Sequence, residues 1–496
     1  MVSKVSLVRD FNRTFWVANV VELFERAAYY GLNSVLAVYL TLEVGAGGIG
    51  ASEQEVGFLQ SILYALVYVL PILGGALADR YGYRRMLMAS LALLAAGYFA
   101  AGYTSTYGLV FLALLLMGTG AGLFKPIISG TIARTTDERT SALGFGIYYW
   151  MINLGAFLAP LVVSWLKGFS WRYVFAASAA YVGLMLLPTA LLYRDPPRPE
   201  STKSLGETLR GAAEVLADSR FMLMIVVYSG FWVLYFQNFG SVLWYLRDFV
   251  DREPVSAAVT AVLQGVGLPV TLTFDAEHVT VINAGVIILL QVVVSRIVRE
   301  RAALPTMVTG MALGAVGFLL LAVSRNPWVF VAGIAVFTLG EMTAHPKYYS
   351  FIGLIAPADR KAVYLGYAFL YGVFGSLLGS NLGGFLYERL LKPAIGTPAA
   401  DERARLFWIL FAVLDVVAVL GLVAFARAFG EDTEATRRRA ARVMRAVYAG
   451  IGLVGAAFLV AGLAATPIQS KTVVQAGIFL LLAAGGLAVS RTLSRE

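Results

Sequence analysis

Apolar runs of about 20 residues recur along the whole chain, separated by short clusters of charge, glycine and proline. Each run is long enough to cross the hydrocarbon core of a bilayer as an α-helix. The pattern predicts fourteen helices, over 14–42, 54–79, 83–103, 107–134, 140–167, 172–193, 221–246, 279–299, 304–324, 328–355, 360–388, 405–428, 446–466 and 473–490. The first run carries Glu22, Glu25 and Arg26 and no small-residue cleavage site follows it, so it is read as a retained span rather than a signal peptide. The largest break lies at 194–220, where a Pro-rich polar stretch leads into a short amphipathic helix and divides six spans from eight. The simplest parsing is a six-helix bundle (1–193), a linker (194–220), a second six-helix bundle (221–430), and a basic segment with two additional C-terminal transmembrane helices (431–496). The basic stretch 437–445 is expected to form an interfacial helix. A second long connection, 247–278, is expected to hold a helix at 254–264 and a strand at 270–274, where Val, Leu and Phe alternate with polar residues.

Composition narrows the class. The chain is 59% hydrophobic and only 14% charged, against about 25% charged in soluble domains, which marks an all-α membrane protein with the lipid bilayer as its solvent. With no cysteine and two histidines, disulfides, thiolate metal sites and cysteine nucleophiles are excluded and no metal or organic cofactor is expected. Ser350 lies five residues from His345 on one helix without a third partner, so no enzyme is expected. The net charge of +9 is explained by loops: with a cytoplasmic N-terminus, most Lys and Arg fall in cytoplasmic connections. That distribution predicts a multi-pass protein of the cytoplasmic membrane with both termini inside, needs no nucleic-acid partner, and fits a monomer.

Charges inside the spans point to chemistry, because an ionised group at mid-bilayer costs about 2.5–3.5 kcal/mol on insertion scales and usually faces a bundle interior or a watery cavity. In span one, Glu22, Glu25, Arg26, Tyr29, Tyr30 and Asn33 follow a helical repeat that puts them within about 140° of one face. The same stripe could be a self-satisfied ion network that only locks helices. Span four has Lys125-Pro126 after a Gly-rich stretch, span five has Tyr148, Tyr149 and Asn153, and span two has Tyr68. Span ten places Glu341, His345 and Tyr348 on one face, with Lys347 beside Pro346, and Asp415 lies deep in span twelve. His345, Lys347 and Asp415 together suggest an additional pocket. The intramembrane set holds four acids against three cations, so one bound proton neutralises it. A carboxyl that gains and loses a cationic partner as the protein rocks would change its proton affinity, which makes the proton a candidate coupling ion.

The loop GGALADRYGYRR at 74–85 resembles the loop motif of the major facilitator superfamily, with Gly75 allowing close helix approach, Asp79 accepting bonds from a neighbouring helix, and Arg80, Arg84 and Arg85 fixing topology. ELFERAAYYG at 22–31, GAGLFKP at 120–126 and FGIYYWMINLG at 145–155 resemble three signatures of the proton-dependent oligopeptide transporter (POT) family within that superfamily. The stretch from Gly340-Glu341 to Ala356-Pro357 is similar to a fourth. The resemblance implies a major facilitator fold in which Arg26 and Lys125 bind a peptide carboxylate and Tyr29, Tyr30, Tyr68, Tyr149 and Asn153 contact the substrate. It also implies that Asn283 and Glu341 meet its amine, while Glu22, Glu25 and Glu341 take part in proton coupling. The chain departs from the family where an Arg and an acid usually pair at the outer gate. Asn33 and Phe236 stand there instead, Ala368 replaces an aromatic residue, and His345 and Lys347 are additions. The expected function is proton-coupled import of di- or tripeptides or a related zwitterion by alternating access. The alternatives are transport of another organic anion or amphiphile, or drug efflux with fourteen spans.

Overall fold

The structure is a computed structural model that describes residues 10–196, 205–357, 360–464 and 470–492, and all regular structure among these residues is helical. Half 1 comprises α1 (Arg13–Asn33), α2 (Leu36–Thr41), α3 (Glu53–Val69), α4 (Pro71–Tyr81), α5 (Tyr83–Tyr103), α6 (Tyr107–Thr135), α7 (Ser141–Lys167), α8 (Trp171–Leu184) and α9 (Leu186–Leu192). The amphipathic α10 (Leu205–Ala217) precedes half 2, which comprises α11 (Ser219–Tyr235), α12 (Ser241–Phe249), α13 (Glu253–Gly265), α14 (Glu277–Val298), α15 (Ala303–Val323), α16 (Pro327–Ile355), α17 (Lys361–Tyr367), α18 (Leu370–Leu386) and α19 (Ala400–Phe429). A closing hairpin is formed by α20 (Glu434–Ala464) and α21 (Ser470–Thr492).

Among the described residues, twelve segments are long and apolar enough to span a membrane, and α3 with α4, bent by 43° at their junction, makes a thirteenth if the pair is one span. Pro71 supplies the bend, since it brings no N–H to the helical ladder. Helix α1 is too polar to qualify by hydropathy because Glu22, Glu25 and Arg26 sit in its middle, yet it packs centrally in half 1 against α7, α8 and α6. Within half 2, α15 packs on α16 and α19, and α11 packs on α18 and α19. The halves meet along α3 with α18 and α7 with α14, so both seams of the bundle are lined by one helix from each half.

The end where α1 begins and α21 finishes is called basal here, and the opposite end distal. The distal end is closed by contacts between halves. Lys392 pairs with Glu53 at 2.7 Å, and the Trp244 indole donates to the Ala37 carbonyl at 3.1 Å. Arg247 donates to the Thr41 hydroxyl at 2.9 Å, and Lys167 pairs with Asp275 and Glu277. At the basal end Phe145 and Tyr149 of α7 are 39% and 47% exposed, and the halves meet there where α4 touches α10 and α17.

Two local expectations are corrected. Residues 270–274 form no strand: they run beside α13, where the Leu272 and Phe274 N–H groups donate to the Thr260 and Ser256 hydroxyls at 3.0 and 2.9 Å. Side chains thus satisfy the backbone that a neighbouring strand would otherwise pair. The basic stretch 437–445 is not a separate interfacial helix but the opening turns of α20, which continues without a break because no Gly or Pro interrupts it until Gly450. The hairpin packs on α11, α19 and α10, and at its distal tip Lys471 pairs with Glu55 of α3 and stands 4.4 Å over the Tyr107 ring.

Candidate functional site

The polar stripe of α1 faces the other helices of half 1. Arg26 donates through Nε to Glu25 at 2.5 Å and approaches Glu22 at 3.4 Å, with the three side chains at most 6% exposed. The guanidinium also lies 5.0 Å from the Tyr29 ring and 5.9 Å from the Tyr30 ring, so its positive charge is shared between two carboxylates and two aromatic faces. Helix α7 lies close behind: a Cβ on Gly155 would stand 2.7 Å from the Leu23 carbonyl and 3.0 Å from the Ala27 nitrogen, so only glycine permits this approach.

Lys125 of α6 is half-buried with its ammonium 4.5 Å over the Tyr68 ring. Glu22 and Glu25 are within electrostatic reach, but among the described residues Lys125 forms no ion pair. A desolvated ammonium left without a carboxylate favours an incoming anion. Tyr30, whose ring lies 5.9 Å from the Arg26 guanidinium, is also within electrostatic range of Glu341 of half 2. Asn153 is 8% exposed and donates to the Tyr149 carbonyl at 2.9 Å, its own helix's preceding turn.

Across the seam, Glu341 of α16 accepts from Asn283 of α14 at 3.1 Å, and the same amide donates to Thr338 at 3.0 Å. No cation among the described residues pairs with Glu341. One turn further, His345 Nδ1 meets the Tyr228 hydroxyl at 3.2 Å, and its ring is 5.2 Å from Trp232 and 5.6 Å from Tyr371. Two expected pocket members lie elsewhere. Lys347 donates to the Arg299 and Arg301 carbonyls at 3.1 and 2.7 Å, neutralising the basal end of α14 as a helix-terminal cation does. Asp415 is fully buried with neither side-chain oxygen hydrogen-bonded among the described residues, beside Gly314 of α15, where a Cβ would stand 3.1 Å from its Oδ2 and 2.6 Å from the Phe231 ring. The additional pocket of His345, Lys347 and Asp415 therefore does not form: His345 and Lys347, two residues apart on α16, meet different neighbours, and Asp415 on α19 is buried apart from both.

The loop motif is engaged within half 1. Asp79 accepts from Arg134 at 2.8 Å and from the Tyr83 hydroxyl at 3.0 Å. The Arg84 N–H donates to Asp195 at 2.6 Å, its guanidinium donates to the Ala190 carbonyl, and Arg80 lies over Tyr81. Close helix approach falls to Gly74 rather than Gly75: a Cβ at 74 would lie 2.8 Å from the Pro126 ring, whereas at 75 the nearest atom is 3.8 Å away. Arg85 is exposed.

Sequence reasoning passed over Tyr64, one turn before Tyr68 on the same face. Its hydroxyl donates to Asn33 at 3.0 Å, its ring stacks on Phe236 at 5.1 Å, and Gln60 links it to the Phe239 carbonyl through bonds of 3.3 and 2.7 Å. This neutral chain occupies the place of the absent gate pair. The i, i+4, i+8 spacing of Gln60, Tyr64 and Tyr68 was the available signal.

Comparisons with known proteins agree with this geometry. The sequence profile of the Major Facilitator Superfamily matches residues 19–380, and the chain belongs to that superfamily. A dipeptide and tripeptide permease A of Klebsiella pneumoniae (strain 342) is 34% identical over 179 residues, 35% of this chain and 34% of that protein. An uncharacterized transporter, YclF, of Bacillus subtilis (strain 168) is 34% identical over 168 residues, 33% of this chain and 34% of its own. The matched stretch thus spans about a third of each of these curated relatives. Among solved structures, a peptide transporter POT in complex with sulfate superposes with a TM-score of 0.68 at 21% identity, covering 84% of this chain and 94% of that one. A POT family transporter in complex with 5-aminolevulinic acid gives 0.68 at 18% identity, covering 85% and 99%. At such identities the superpositions establish a shared fold.

Proposed function

We propose that this member of the Major Facilitator Superfamily imports di- or tripeptides together with protons across the cytoplasmic membrane, with its basal end and both termini in the cytoplasm. The observation that carries the reading is, among the described residues, a cation without an ion pair, Lys125, in half 1 and an acid without a cationic partner, Glu341, in half 2. A peptide zwitterion satisfies both: its carboxylate goes to Lys125 and Arg26, and its amine goes to Glu341 and Asn283. The permease and POT relatives support the same substrate class.

The coupling step follows from sharing. Arg26 is held by Glu22 and Glu25 in this distally closed state, and a substrate carboxylate drawing on the same guanidinium weakens one of those pairs. The released carboxyl then binds a proton, because a buried charge without its partner is costly. With Asp415 and Lys347 outside the site, three acids (Glu22, Glu25, Glu341) face two cations (Arg26, Lys125), and one proton balances them. The electrical part of the gradient supplies about 2.3 kcal/mol per charge per 100 mV, about fifty-fold accumulation.

Proteoliposome uptake of labelled dialanine under an imposed inward proton gradient tests the reading. Accumulation above equilibrium is expected, with at least about a tenfold loss for Lys125→Ala and loss of gradient-driven accumulation but not of counterflow for Glu22→Gln. Uptake indifferent to the gradient defeats proton coupling. Equal displacement of dialanine by organic anions lacking an amine supports an anion transporter instead.

A further inference from the structure

Lys167 ends α7 at the distal end, and its ammonium lies between two acids of half 2, 2.5 Å from Asp275 and 2.7 Å from Glu277. Asp275 is shared with Arg252, also at 2.5 Å. Glu277 is fully buried, and its second oxygen has no hydrogen-bond partner and faces His278 Nδ1 at 3.8 Å. The Asp275 N–H donates to His278 Nδ1 at 3.0 Å, so that nitrogen carries no proton. The imidazole is therefore neutral, with its N–H on Nε2, which is buried without a partner. An imidazolium has another arrangement within reach, since Nδ1 is 3.3 Å from the Asp275 carbonyl. The charged and titratable groups facing this point are Lys167 from α7, Arg252 from the turn before α13, and Asp275, Glu277 and His278 from the start of α14. The flanking Asp251 and Glu253 are exposed to solvent. Two acids and two cations balance while the distal end is closed.

We propose that this cluster is a second proton-binding site, a latch in which Lys167 and a proton from the distal side compete for Glu277. Lys167 belongs to half 1 and the acids to half 2, so distal opening must pull the ammonium out of the cluster. Arg252 stays with Asp275 and keeps it paired. Glu277 is left as a buried carboxylate beside a neutral histidine, a state that is strongly unfavourable unless the charge is cancelled. A proton taken up on its free oxygen, or shared with His278, cancels it. Acid on the distal side therefore favours the distal-open conformation, and reclosing drives the proton off as Lys167 returns. The latch is separate from Arg26 and its acids. It borrows from the proposed function only the assignment of the distal side to the exterior.

The chain has no cysteine, so a spin-label pair at Ser105→Cys and Thr397→Cys, exposed distal positions on the two halves, reads the distal separation in nanodiscs without any transport. Lowering the pH from about 8 to about 5 is expected to raise the open-to-closed ratio by up to tenfold per pH unit, the limit for one linked proton. Glu277→Gln should be enriched in the open form with that pH response lost. Lys167→Met, a second route to the same end, should be open across the range. Distances in the parent protein that ignore pH, or a Glu277→Gln protein that keeps the full response, would overturn the proposal. A response abolished by Glu22→Gln instead assigns it to the central acids and also overturns it. A pH-dependent distance without gradient-driven uptake removes the import reading and keeps the latch, so the two ideas fail separately.

Discussion

Along the α3–α18 side of the distal closure, Asn33, Tyr64, Gln60, Phe236 and Phe239 join the halves with hydrogen bonds and a ring stack and no formal charge. Along the α7–α14 side, Lys167 sits between two carboxylates with Arg252 and His278 beside them. The first closes by packing, which responds weakly to pH and ionic strength. The second closes by charge and must exchange a proton or lose a partner whenever it opens. The absent Arg–acid pair at Asn33 and Phe236 thus leaves this patch neutral, with Glu53 and Lys392 pairing at its distal edge, while the buried carboxylate that changes partners lies on the other side of the bundle.

The largest effect should come from the neutral side. Tyr64 is 1% exposed, and Tyr64→Ala removes a fully packed ring, a change worth about 3–5 kcal/mol in cores. Thermal unfolding in detergent should show that loss, and a melting temperature within two degrees of the parent would mean the ring closes nothing. Next comes an attempt to give the neutral side a charge. Asn33→Arg alone buries a guanidinium without a partner, Phe236→Glu alone buries a carboxylate, and the double variant should recover about 2 kcal/mol relative to the sum of the two losses. Strict additivity would show that these two positions do not face each other across the closure.

The smallest effect separates the acids of the charged side. Burial tends to raise the Asp275 carboxyl, but Lys167, Arg252 and the Ala276 N–H outweigh it and hold it below the ordinary aspartate value. A depressed acid contributes fully above its unfolded value, about 3.9, and loses that contribution only as pH falls through its lower folded value. Asp275→Asn should therefore lower stability by about 1 kcal/mol at neutral pH and flatten the acid limb below about pH 4, while leaving any distance response between pH 5 and 8 intact. A response in that window that vanishes with Asp275→Asn would reverse the assignment.

Much of the architecture is readable from the chain because bilayer-length apolar runs are a strong local signal, and the stripe Glu22 to Asn33 sits on one helix whose period is known. The parts that were not readable depend on pairs distant in sequence. Nothing in the local pattern joins Lys167 to residues 275–278, so Lys167 reads as one more loop cation. Lys347 reads as a pocket residue because its own helix carries Glu341 and His345, whereas its position is decided by the end of α14. The segment at 270–274 alternates like a strand, yet hydroxyls on α13 take its backbone bonds. Helical period locates a face; it does not say which neighbour that face meets.

Helix α20 has 31 residues, a length of about 46 Å, while the hydrocarbon layer of a bilayer is about 30 Å thick. The excess falls at the end bearing Arg438, Arg439, Arg442 and Arg445, all exposed. Four guanidinium charges suit that foot to the phosphate layer and disfavour its sinking into the oil. Because α20 packs on α11 and α19, half 2 carries its own plumb line to the membrane surface, one that half 1 touches only at the distal tip, through Lys471.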